Sequence, residues 1–192
     1  IEFKIVKYIM ENIKVIQNQK LIKSLITVII GSIILTISAK IKIPFYPVPM
    51  TMQTFVVLLL GVSFGYKIAV ATVGLYLLEG ILGLPVFSNS PEKGIGIAYF
   101  TGPTMGYLIG FLFASFFTGY LNFKTNIFLI FLKLIFSVSF IYIFGIIWLG
   151  TLIGWDKPII ALGVTPFLLA ELFKVLLLTF LTSKILVFRK FI

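Results

Sequence analysis

A chain of 192 residues that is 60% hydrophobic, with 21 Phe and only 11% charged residues and a mean hydropathy of +1.16, is too apolar for a soluble domain. It has no Cys and no His, which removes disulfides, thiolate nucleophiles, imidazole bases and most transition-metal sites together. The net charge of +10 falls on lysines beside apolar spans, without the interleaved aromatics of a nucleic-acid surface. Anionic lipid headgroups, and no nucleic acid, are therefore the expected counter-charge.

In chain order, residues 1–20, IEFKIVKYIMENIKVIQNQK, set Lys4, Lys7 and Lys14 among apolar residues at roughly helical spacing. This stretch reads as an interfacial amphipathic helix, and residues 21–192 read as one membrane domain. A bilayer crossing takes about 20 apolar residues, fewer where a helix is buried by neighbours. On that ruler the spans are 21–39, 50–64, 66–84, 104–121, 126–149 and 165–187. The last begins at Thr165-Pro166, where Thr can cap and Pro suits the first turn. The fold class expected is an all-α integral membrane protein, a compact bundle of six transmembrane helices with capping loops on the extracellular side.

Lysine and arginine set the orientation. If the N-terminus is cytoplasmic, that side collects Lys4, Lys7, Lys14, Lys20, Lys23, Lys67, Lys124, Lys184, Arg189 and Lys190. The other side holds Lys40, Lys42, Lys93 and Lys157. Both termini are thus expected inside, in a multi-pass protein of the cell membrane. The longer connections, 40–49, 85–103 and 150–164, then face outward, and the turns at 65–67 and 122–125 are tight. Pro- and Gly-rich loops gathered on one side suggest a lid over a pocket that opens there.

The run LLAELFKVLLL, residues 168–178, places Glu171 and Lys174 three positions apart in an apolar helix, on one face and able to pair. Charged residues in a span are costly and usually face a bundle interior or a watery cavity. Two readings stand: an ion pair that holds helices together, or a ligand contact. With the helix starting near Pro166, Glu171 lies about 8 Å below the outer end, a depth that suits a pocket entered from outside. Gln53, at the start of the second span, can donate and accept, and serves either a pocket or a helix contact. Lys133 reads as snorkelling, Asp156-Lys157 as a solvated loop pair, and Trp148 and Trp155 as an outer aromatic belt. Ser32 and Thr36, four apart on the first helix, form a weak small-xxx-small pattern that could let another helix approach.

Three segments carry the most distinctive text: IPFYPVPMTMQTF (43–55), LGLPVFSNSPEKGIGIAYFTGPTMGYLIGF (82–111) and ELFK (171–174). Together they resemble the BioY family, the biotin-specific substrate-binding S components of energy-coupling factor (ECF) vitamin transporters, over about residues 32–185. The departures are Glu171 where the family usually has Asp, Met105 where a small residue is more usual, and Glu79 where an apolar residue is expected. The resemblance implies biotin as transported ligand, with no cofactor of the protein's own, no metal and no catalytic residue. A carboxylate such as Glu171 can accept from the ureido N–H groups of biotin, and the Lys174 ammonium can answer its carbonyl or its carboxylate tail. Phe87, Asn89, Tyr99 and Tyr107 lie in or beside the second long loop as further candidates, the aromatics having an interfacial belt as the alternative. The implied partners are a transmembrane coupling subunit, met through the first helix at Ser32 and Thr36, and two ABC-type ATPase subunits.

No G-x-x-x-x-G-K-[ST] occurs in the chain, so any ATP-driven step must come from partners. With six acidic residues, no His and no Cys, there is little for acid-base or nucleophilic chemistry, and an enzyme is not expected. The rival expectations are an S component for a different vitamin and a structural or assembly subunit that binds no small molecule.

Overall fold

The computed structural model describes the backbone of residues 2–190 and the side chains of residues 17–190. The interfacial reading of residues 1–20 turns on side chains that lie mostly outside the described residues. Helix α1, Glu2–Lys40, carries its apolar span as Gln17–Lys40. Within it Ser32, Leu35, Ser38 and Ala39 are buried, whereas Ile26, Ile29, Ile30, Ile33 and Ile37 are exposed. Steps of three and four residues put the first set on one stripe facing the bundle. This corrects the expectation that Ser32 offers a small surface to an outside helix. Its side chain is fully buried and its hydroxyl donates to Glu79, and Thr36 beside it is half-buried.

The helix Gln53–Ile81 is broken at Gly65, whose φ of 78° lies in the left-handed region that glycine enters without a Cβ penalty. A straight helix would separate Gln53 from Tyr76 by about 35 Å. Yet the Gln53 side-chain amide donates to the Tyr76 hydroxyl at 2.7 Å, so the segment is a hairpin of two arms, 53–64 (α2) and 66–81 (α3). The second span starts at Gln53 and not at Met50, because Met50 and Thr51 pair antiparallel with Ile43 and Lys42 in a short ribbon.

Helix α4, Met105–Tyr120, lies against α5, Ile127–Ile153. A Cβ on Gly106 would fall 2.3 Å from the Phe144 carbonyl oxygen, and one on Gly110 would fall 2.5 Å from the Ile141 Cα. These two glycines, four apart, let the backbones meet, the usual basis of helix association in lipid. Asn126 caps α5 by accepting from the Leu129 N–H at 2.9 Å. Beyond α5 lie the exposed Asp156–Lys157 pair at 3.2 Å, a single turn at Ile159–Gly163 and a 3-10 turn at Thr165–Phe167. Helix α6 then runs Leu168–Ile185. Thr165 does not cap it: its hydroxyl turns back to the Ile160 carbonyl at 3.3 Å.

The ends of the bundle are built differently. At one end the first two long connections are tied together. Lys40 donates to the Phe87 and Ser90 carbonyls, each at 2.8 Å, and Lys42 to the Ser88 carbonyl at 2.6 Å. Trp148, expected in a lipid belt, instead donates to the Gly102 carbonyl at 2.8 Å. At the other end the turns are short, and Lys133 reaches the Asn122 carbonyl at 2.6 Å. There Arg189 donates to the carbonyls of Val62 at 2.8 Å and of Gly61 and Gly119 at 3.2 Å. One guanidinium thus serves orphan carbonyls at the ends of both α2 and α4.

Candidate ligand-binding site

Helix α6 enters the loop end of the bundle with Glu171 one turn in and Lys174 one turn further, both less than a tenth exposed. The ribbon and the first turn of α2 face them. The Lys174 ammonium donates to Glu171 Oε2 at 3.1 Å, to the Thr54 hydroxyl at 2.7 Å and to the Thr51 carbonyl at 3.0 Å. An ammonium has three N–H bonds, so this one is fully committed within the protein. The Thr54 hydroxyl in turn donates to Glu171 Oε2 at 3.0 Å. Tyr142, from α5, donates to the same oxygen at 3.0 Å.

Glu171 is therefore asymmetric. Oε2 accepts from three donors, whereas Oε1 is buried and accepts from none. A buried acceptor left unmet costs about 1–3 kcal/mol, and more when charged. Glu171 forms part of the wall of a pocket at this end of the bundle. Its walls come from 48–51, Gln53 and Thr54, the second loop (Phe87, Ser88, Tyr99, Thr104), α4 (Tyr107, Leu108, Phe111), α5 (Ile141, Tyr142) and α6 with Phe167. Phe87 stacks on Tyr99 with centroids 4.6 Å apart and meets Tyr76 edge-on at 5.4 Å. Tyr107 meets Tyr142 edge-on at 6.3 Å, and its hydroxyl donates to the Gly163 carbonyl at 2.8 Å. An apolar, aromatic chamber with a lining carboxylate that keeps one acceptor unmet suits a ligand with a flat apolar body and an N–H-bearing head.

Of the residues singled out in the sequence, Glu171, Lys174, Gln53, Phe87, Tyr99 and Tyr107 line this pocket. The three aromatics among them are buried and so do not form a lipid-facing belt. Gln53 does both jobs open to it, lining the pocket while joining α2 to α3 through Tyr76. Asn89 is not in the pocket wall. Its side-chain oxygen accepts from Lys42 at 3.2 Å, and it lines a smaller adjoining cavity. Glu79 is also apart, engaged by Ser32. Thr51, Thr54 and Tyr142 were missed. Thr54 sits one residue from Gln53 in an ordinary-looking helix start, and Tyr142 is one aromatic among many in α5; neither carries a local sign of its role.

The sequence profile of the BioY family matches residues 10–190. The probable biotin transporter BioY of Pyrococcus horikoshii is 35% identical over 139 residues, 72% of this chain and 81% of that one. The biotin transporter BioY of Thermotoga maritima is 35% identical over 153 residues, 79% of this chain and 89% of that one. A similar protein of Rickettsia prowazekii, again a probable biotin transporter BioY, is 29% identical across 95% of this chain. Among solved structures, the S-component for biotin from an ECF-type ABC transporter superposes with a TM-score of 0.73 at 26% identity. That match covers 87% of this chain and 92% of the other.

Proposed function

The chain belongs to the BioY family, and from that premise we propose that it is the biotin-capturing S component of an ECF-type transporter, a transport subunit and not an enzyme. The observation that carries the proposal is the unmet Oε1 of Glu171, a residue that lines an aromatic chamber. The ureido ring of biotin offers two N–H donors. One of them placed against Oε1 makes a charge-assisted hydrogen bond in a site with little water. Lys174, its donors already committed, neutralises and positions Glu171 more than it touches the ligand. Phe87, Tyr99 and Tyr107 supply the walls for the thioether ring and tail, and Gln53 fixes the rim.

Loading occurs from the loop end, which faces outward, with both termini cytoplasmic. Release inward requires a transmembrane coupling subunit and two ATPase subunits, because this chain has no phosphate-binding loop. The exposed isoleucine face of α1, not Ser32, is then the surface through which α1 meets the coupling subunit. The functional test is calorimetric titration of the purified protein in detergent with biotin, thiamine and riboflavin in turn. Saturable binding of biotin alone is expected; binding of another vitamin in its place, or of none, contradicts the proposal.

A further inference from the structure

Beside the main pocket lies a smaller cavity lined by Asn89, Lys93, Tyr99, Gly102, Pro103 and Thr104. Tyr99 and Thr104 line both spaces, so the two adjoin across these side chains. Thr104 is only 8% exposed and precedes the first turn of α4, yet its hydroxyl does not cap that helix. No acidic side chain occupies that turn either, so the positive end of the helix is left without an anion.

The cations around this mouth are not equivalent. Lys40 and Lys42 are committed to the carbonyls of Phe87, Ser90 and Ser88 and to Asn89. Lys93 is different: its ammonium lies 5.9 Å from the ring centroid of the exposed Tyr46, and the ion pairs among the described residues are Asp156–Lys157 and Glu171–Lys174. Lys93 therefore makes no direct ion pair among the described residues, although Glu92 is its chain neighbour, and it lines a cavity that adjoins the ligand chamber.

We infer that Lys93 is a specificity-determining residue that binds the carboxylate end of the ligand where its tail reaches the mouth of the chamber. The inference rests on the biotin reading above, which places the ureido head at Glu171 and leaves the tail to reach the mouth. The two ends of the ligand then meet opposite charges, a carboxylate in the chamber wall and an ammonium at the rim, so the ligand enters in one orientation only. Lys93 also bridges to Tyr46, so a bound carboxylate draws the first two long loops together over the chamber.

The test uses the full chain in lipid nanodiscs and two probes, biotin and biotinamide, whose tail is neutral. Wild-type protein binds biotin more tightly than biotinamide. Lys93→Gln lowers affinity for biotin by about three- to tenfold, as expected for a partly exposed charge-assisted contact, and leaves biotinamide affinity within about twofold. Lys93→Arg retains the preference for biotin. Equal losses for both probes in Lys93→Gln, or no loss for either, overturn the inference while leaving biotin capture intact. Failure of the wild type to bind biotin at all overturns the functional reading, and the inference with it.

Discussion

Thr54 accepts from Lys174 and donates to Glu171 Oε2, so one hydroxyl links the two charges of the cluster. Around it every donor of Lys174 is used, and only one oxygen of Glu171 is. That arrangement separates what each charge does. Removing the cation in Lys174→Met leaves a buried carboxylate with two hydroxyl donors and no counter-charge, a change that costs about 3–5 kcal/mol in buried pairs. The double variant Glu171→Gln/Lys174→Met removes both charges, and we expect it to regain part of that stability without regaining biotin binding. Unfolding in mixed micelles, followed by circular dichroism, measures both. A double variant no more stable than Lys174→Met alone contradicts the assignment of a mutually neutralising pair.

The helices divide the charges between the two ends of the bundle. Among the described residues, Lys20, Lys23, Lys67, Lys124, Lys133, Lys184, Arg189 and Lys190 belong to the short-turn end. The described acids Glu79, Glu92, Asp156 and Glu171 lie at or toward the loop end. A bilayer reads this asymmetry as orientation. In a chain with no Cys, Asp156→Cys is expected to react with an impermeant maleimide added outside intact cells, and Lys124→Cys only after permeabilisation. The reverse pattern would invert the topology. The six spans were legible because hydropathy is a local property that survives ignorance of the fold. The ribbon of Lys42–Ile43 with Met50–Thr51 was not, since two-residue strands among Pro44, Pro47 and Pro49 leave no alternating pattern to read. Ser32 was misplaced for a related reason: a small residue on a helix signals close approach without saying on which side. Its real neighbour, Glu79 on α3, is 47 positions away.

At the scale of the whole molecule, a helical hairpin, a glycine-mediated contact between α4 and α5, and lysine ties between loops hold one chamber open at one end of a lipid-embedded bundle. Glu171 and Lys174 could be found in the sequence because charge inside an apolar run is conspicuous. Thr54 and Tyr142 could not, because their significance exists only once α2, α5 and α6 converge. That convergence also sets the most direct test of the account, calorimetric titration of biotin against Glu171→Gln. Three donors at the Oε2 position orient the new amide with its oxygen toward them and its NH2 toward the pocket. The lining acceptor becomes a donor facing the ureido N–H. Glu171→Gln is expected to lose about 1–3 kcal/mol, roughly five- to 150-fold in affinity, per folded molecule. Unchanged biotin affinity in Glu171→Gln would contradict the account.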